Sequence, residues 1–191
     1  MAKTSKKSTA KRSTAKKAKP ASKASPKKKA DAPLMELFEH GLKDIYWAEN
    51  ALTKAIPKMM KKAVDGNLRN ALEDHLKVTK NQAENLKQVF ASIDKPARGK
   101  KCTGIEGIIK EGEELMEEFN NNLIDGAIIA AASKVEHYEM SSYMTLITLA
   151  DELKLTKAKR ILQEILKEEM EADEVLQNLA SNSAGLATER M

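Results

Sequence analysis

The feature that most constrains this 191-residue chain is the spacing of its apolar residues between positions 34 and 180. Leucine, isoleucine, methionine and small residues recur there every three or four positions, which is the period of a helix with one buried face. Runs of about 25 residues predict helices roughly 35–40 Å long, at 1.5 Å per residue. We therefore predict an all-α domain whose long helices share one core.

Proline, glycine and capping residues divide this region into four long helices and one shorter helix. The predicted ranges are 33–65, 68–93, a shorter segment from 103, 125–153, and a last helix that starts after a possible cap at Thr156 and extends to 180. Pro57 should kink the first helix rather than end it, because the apolar spacing continues beyond it. Thr103 and Glu106 have the spacing of a capping box. The fold prediction is a ferritin-like four-helix bundle, residues 34–180, with an additional shorter helix in the crossover.

Net charge divides the chain into two opposite parts. Residues 1–33 contain eleven lysines and Arg12 against Asp31, giving +11, whereas the remaining 21 basic and 27 acidic residues give −6. The first part is almost wholly Lys, Ala, Ser, Thr and Pro, so it cannot bury a core and is predicted to be a disordered arm. Residues 181–191 are predicted to form a flexible tail.

The arm is suited to polyanions. A dozen cations on an extended chain can displace counterions from DNA or RNA, which gives sequence-independent binding that salt weakens. No aromatic residue is interleaved for base stacking, so we expect no readout of sequence. A solubilising tail, a targeting segment or a nuclear address is the alternative. The predicted nucleic-acid contacts are Lys3, Lys6, Lys7, Lys11, Arg12, Lys16, Lys17, Lys19, Lys23, Lys27, Lys28 and Lys29.

Three further features of the sequence indicate the cellular compartment of the protein. No run approaches the roughly 18 uninterrupted apolar residues of a membrane span, and the N-terminus lacks the apolar core of a secretory signal. Cys102 is the only cysteine, which excludes an intramolecular disulfide and a thiol-rich zinc site. We expect a cytoplasmic protein without membrane contact, which its arm could hold at the nucleoid.

Acidic residues and one histidine interrupt the apolar seams near their middles. A buried carboxylate is tolerated only when it is paired, protonated or bound to a cation, and no lysine or arginine shares these seams. Two divalent ions supply four positive charges, and oxygen ligands with one imidazole suit iron or manganese. The predicted metal ligands are Glu49, His75, Glu136, Glu139, Glu169 and Asp173, and candidate hydrogen-bond donors to them are Tyr46, Tyr138 and Tyr143.

These residues also have structural interpretations. A single glutamate in phase with a seam usually lies at its edge and reaches water, although coincidence on four helices favours metal. His75 could be a neutral core histidine bonded to Thr79 or to a carboxylate. His137 points off its seam. Glu168 competes with Glu169, since the helix phase is ambiguous there by one residue.

One segment, Lys134–Glu139, reads Lys-Val-Glu-His-Tyr-Glu, and less specific segments are 42–49, 75–82, 102–112 and 168–173. In these segments the sequence resembles the YciF-type ferritin-like stress proteins, which are related to rubrerythrins and bacterioferritins. The resemblance implies a five-helix domain, a homodimer, a di-metal site and a role in stress. Ferritin-like sites commonly repeat Glu-x-x-His, but Leu72 precedes His75 by three and Ala172 follows Glu169 by three, which leaves the number of metals open.

Three functions are compatible with these features. The leading hypothesis is a stress-associated protein that binds two iron or manganese ions and is tethered to nucleic acid by its arm. A di-metal oxidase or catalase-type enzyme is the second, with catalytic residues unassigned. A non-catalytic, histone-like DNA-packaging protein is the third.

The segment 125–153 carries two apolar stripes, which predicts a central helix or a dimer contact.

Overall fold

The computed structural model describes the backbone of residues 1–2, 26–120 and 122–182, with side chains from 31 to 120 and from 122 to 181. These residues contain five helices, and the prediction of an all-α helical bundle is confirmed. None of the described helices combines the length and apolarity that crossing a membrane requires. The helices are α1 (Pro26–Lys62), α2 (Gly66–Ser92), α3 (Thr103–Glu118), α4 (Ile124–Glu152) and α5 (Thr156–Asn182).

The four long helices form a closed ring. α1 and α5 each pack against both α2 and α4, so every long helix has two long neighbours. Short links join α1 to α2 and α4 to α5, which makes two hairpins. The carboxylate of Asp125 accepts hydrogen bonds from the backbone amides of Val64 and Asp65 at 2.8 and 2.9 Å. Asp65 is also the N-cap of α2. The start of α4 therefore holds the tip of the first hairpin.

The shorter helix α3 is the crossover from α2 to α4, as predicted. Before α3, the amide of Lys100 donates to the carbonyl of Lys43 at 3.1 Å, in the first half of α1. Near the end of α3, the ammonium of Lys62, the last residue of α1, donates to the carbonyl of Met116 at 3.1 Å. α3 thus carries the chain from one end of the bundle to the other, where α4 begins.

Two glycines let α3 lie close against α4. A Cβ atom at Gly112 would lie 3.0 Å from the Cβ of Ala131, and one at Gly104 would lie 3.0 Å from the ring of Tyr138. α4 also packs against α1 and α5, so its second apolar stripe is covered within the chain. The two stripes are therefore explained by a central helix.

The predicted start of α1 differs from the structure. α1 begins at Pro26 rather than Pro33, because Pro26 is itself suited to a first helical position and the residues up to 32 include good helix formers. Pro33 and Pro57 both lie inside α1, so the prediction that the helix continues past Pro57 is confirmed.

Because α1 begins at Pro26, three of the predicted nucleic-acid contacts, Lys27, Lys28 and Lys29, belong to this helix. The other predicted nucleic-acid contacts, from 3 to 23, and residues 183–191 of the tail lie outside the described residues.

The predicted capping box of α3 is wrong. Thr103 is the first helical residue, and Cys102 occupies the cap position without a side-chain bond to the helix. Glu106 instead forms an ion pair with Lys101 at 2.6 Å. Because the cap is Cys102, the third helical residue is Ile105, and Glu106 lies one position beyond the place of a capping-box glutamate.

Candidate metal centre

Five of the six predicted ligands converge at the middle of the bundle. Their ligand atoms form two overlapping groups, His75–Glu136–Glu169 and Glu49–Glu139–Glu169, and within each group the atoms lie within 4.8 Å of one another. Glu169 belongs to both groups. The four glutamates are at most 2% exposed, and they come from α1, α4 and α5, while the histidine comes from α2.

Helical spacing explains how α4 and α5 deliver their acids. Glu136 and Glu139 are three residues apart, so both project from the same face of α4. On α5 the phase is resolved in favour of Glu169, which is fully buried. Glu168 lies at the edge, where it accepts a hydrogen bond from the buried Gln82 at 3.1 Å. Gln82 follows His75 by two turns on α2, a spacing that could have marked it as a neighbour of the site.

The centre has more acceptors than donors. Tyr143, itself fully buried, donates to one oxygen of Glu49, and His75 Nε2 lies 3.2 Å from Glu136 Oε1. Among residues 31–120 and 122–181, none of the buried side chains is a lysine or arginine. Buried oxygens without a hydrogen-bond partner remain on all four acids: Glu49 Oε2, Glu136 Oε2, Glu139 Oε1 and both oxygens of Glu169. Such groups are unfavourable unless protons or cations reach them.

Burial shifts the proton affinities of the whole cluster. It raises the pKa of Glu136 to about 8, and burial together with the charge of neighbouring carboxylates raises the pKa values of Glu49, Glu139 and Glu169 well above their usual range. Burial also lowers the pKa of His75 to about 4, so its imidazole is neutral and can offer a lone pair. Burial therefore favours the protonated form of each acid, and a bound cation would compete with these protons.

Asp173, the sixth predicted ligand, lies beside the centre rather than in either group. It is buried, but Ser133 and Gln177 donate to its two oxygens at 2.9 and 2.5 Å. His137 Nε2 lies 3.5 Å from the same carboxylate, and the imidazole is 60% exposed, as its position off the seam predicted. These neutral donors satisfy Asp173 without a metal ion.

Of the three tyrosines, only Tyr143 donates to a candidate ligand among the described contacts. Tyr138 lies 2.8 Å from the sulfur of Cys102, and Tyr46 packs edge-on against Phe90. The structural alternative for His75 is also present, because its Nε2 lies 3.2 Å from Glu136 Oε1 and Thr79 donates to its backbone carbonyl at 3.0 Å. The bond from Thr79 does not involve the imidazole ring.

Comparison with known proteins identifies the family. The domain of unknown function DUF892 matches residues 33–189. The chain belongs to the DUF892 family. Protein YciF of Escherichia coli strain K12 is 40% identical over 156 residues, which cover 81% of this chain and 94% of YciF.

Two solved structures are similar to this DUF892 protein. The crystal structure of the E. coli stress protein YciF has a TM-score of 0.76 and 39% identity, covering 82% of this chain and 98% of that one. YcfI from Rhodopseudomonas palustris has a TM-score of 0.74 and 41% identity, covering 75% of this chain and 92% of that one. The resemblance to YciF is confirmed. The DUF892 match includes all six predicted ligands but only one residue of the predicted arm.

Proposed function

We propose that this DUF892 protein is a ferritin-like, stress-associated protein that binds two divalent ions, iron or manganese, at its central cluster. The observation that carries the proposal is the pair of overlapping ligand groups sharing Glu169, in which five buried carboxylate oxygens have no hydrogen-bond partner. The stress association is supported by YciF, which is described as a stress protein.

The donor set fits such ions. Four carboxylates carry four negative charges when ionised, which two divalent ions balance, and the neutral His75 supplies one nitrogen. One ion would be held by His75, Glu136 and Glu169, and the other by Glu49, Glu139 and Glu169. Oxygen donors with one imidazole suit iron and manganese, which supply Lewis-acid or redox chemistry when bound. Tyr143 orients Glu49 by donating to it.

Metal analysis of the full chain tests this proposal. Protein purified without chelator should contain about two ions of iron or manganese, and Glu169→Gln should lose most of both, because the shared ligand is gone. Glu174→Gln, an exposed site on the same helix, is the matched control and should keep both ions. Equal metal content in wild type and Glu169→Gln would place the ions elsewhere and end the proposal.

We propose that the arm adds a second activity, non-specific binding of DNA or RNA. The support is its charge of +11 next to a domain of −6. Since α1 begins at Pro26, the appropriate deletion removes residues 2–25 and leaves the helix whole. This deletion should abolish retardation of DNA at moderate salt and leave metal content unchanged. Undiminished retardation by the truncated protein would contradict the assignment to the arm.

A di-metal oxidase or catalase-type enzyme is the second candidate. It is favoured by a cavity that reaches His75 and Glu136 from the surface, which gives small molecules access to one ligand group. Consumption of peroxide or oxygen by the metal-loaded protein would establish turnover. A metal-free protein that retards DNA would instead favour the histone-like packaging function.

A further inference from the structure

A cavity of about 270 Å³ lies between α2 and α5 and extends to residues of α1 and α4. Its wall is mainly aliphatic and includes Leu52, Ile56, Leu72, Val135 and Leu176. Small residues on α2, α4 and α5 leave the space open. A predominantly apolar wall with a few polar groups in one region is the usual form of a small-molecule site.

Of the two ligand groups, only one contributes residues to the wall of this cavity. His75 and Glu136 line it, whereas Glu49 and Glu139 do not. Glu49 is instead held by the buried Tyr143. The cavity therefore opens onto the ion that His75, Glu136 and Glu169 would hold, and the second ion would be closed off from it.

We propose that this cavity, which we name the aliphatic pocket, binds an aliphatic monocarboxylate whose carboxylate group reaches the His75 side of the metal centre. The inference rests on the proposed metal binding. The apolar wall favours a ligand with an aliphatic chain, and the neighbouring His75 and Glu136 favour a polar group at one end of that chain. A carboxylate brings oxygen donors, which suit a divalent ion held by only three residues of the protein.

The volume sets the length of the chain. A cavity of about 150 Å³ holds benzene, with its six carbons. By proportion, 270 Å³ holds about ten or eleven non-hydrogen atoms, which is the size of octanoate. Longer acids would have to extend past the rim, where Asp74 and Glu171 lie.

The acidic residues that line the aliphatic pocket predict that a monocarboxylate binds there only when the metal ions are bound. The pocket is lined by four acidic residues, Asp74, Glu136, Glu168 and Glu171, and no lysine or arginine of the described residues lines it. Without cations this lining disfavours an anion. Metal and carboxylate should therefore raise each other's affinity, since coupling between two ligands is reciprocal.

Calorimetric titration of the full chain with octanoate, with and without bound manganese, tests this. We expect octanoate to bind at least about tenfold more tightly to the manganese-loaded protein and to alter its manganese EPR spectrum. Octylamine should show the opposite dependence on metal, and octanol should show little. Tighter binding of octylamine than octanoate to the loaded protein would refute the carboxylate assignment.

Two filling variants locate the binding. Ala172→Leu on α5 and Ala71→Leu on α2 place larger side chains in the aliphatic pocket and should each weaken octanoate binding at least about tenfold with unchanged manganese content. Ala91→Leu, exposed on α2 away from the pocket, should bind octanoate like wild type. Unchanged octanoate binding in both filling variants would place the ligand elsewhere.

The outcomes separate the two proposals. If manganese binds and octanoate does not, the pocket inference fails and the metal proposal stands. If no manganese or iron binds, the metal proposal fails, and the predicted metal dependence of octanoate binding fails with it.

Discussion

Replacing Glu136 by glutamine should stabilise the metal-free protein and remove one of the two ions that we propose it binds. Glu136 is 2% exposed, and one of its carboxylate oxygens has no hydrogen-bond partner. Burial raises its pKa from 4.5 to about 8. Glutamine keeps the shape of the side chain and removes the group that must take up a proton on folding, so the variant avoids that penalty.

The magnitude follows from this pKa. At pH 7.5 the native protein holds a proton on Glu136 that the unfolded chain releases about three pH units lower, a penalty of up to about 4 kcal/mol at 1.36 kcal/mol per unit. The wild-type unfolding free energy should therefore fall as pH rises from 4.5 to 8. His75, whose pKa is lowered to about 4, has the opposite effect, but only between about pH 4 and 6.5.

Thermal unfolding in chelator, followed by circular dichroism, measures the effect. At pH 7.5 metal-free Glu136→Gln should unfold roughly 4–16 °C above wild type, for a gain of about 2–4 kcal/mol, and the difference should shrink to a few degrees at pH 5. Glu174→Gln should unfold like wild type at both values. In excess manganese the variant should retain about one ion and gain less from metal. A variant less stable than wild type at pH 7.5 without metal would refute the reasoning.

Three further predictions concern individual contacts. Tyr143→Phe removes the donor to Glu49, so the metal-free protein should lose about 1–2 kcal/mol by denaturant titration, and metal affinity should fall about 10–100-fold in a chelator competition. Gly99→Ala should destabilise by about 1–3 kcal/mol, because its Cβ would lie 3.1 Å from the α1 backbone, and a stability equal to wild type would contradict this. Asp125→Ala should lower the melting temperature by several degrees without changing metal content, since it removes two bonds that hold the first hairpin.

The pattern of apolar residues was sufficient to predict the helices and which acidic residues face the core. Glu49, Glu136 and Glu139 lie in phase with long apolar runs, and such positions have to face the core when one face of each helix is buried. The convergence of these acids could not be read from periodicity, because it depends on the axial register of four helices. That register is set by contacts such as those of Asp125 at the hairpin tip.

Other details depended on neighbours that are distant in sequence. Glu168 and Glu169 are consecutive residues that point about 100° apart around α5. Which of them faces the core is decided by the packing of α5 against α2 and α4. Asp173 has the right phase, but Ser133 and Gln177 satisfy its carboxylate. The capping-box pattern at Thr103 was present in sequence, but the cap is Cys102, so Glu106 is one position too far along the helix to complete the box.

The order of the helices has a consequence for how the protein opens. Each ligand group contains one residue of the first hairpin and two of the second. His75 of the first hairpin joins Glu136 and Glu169, and Glu49 of the first hairpin joins Glu139 and Glu169. Ions bound there would fasten together halves of the polypeptide that are linked in sequence only through α3. Separation of the two hairpins would then require metal release, so amide hydrogens along their shared face should exchange more slowly once metal is added.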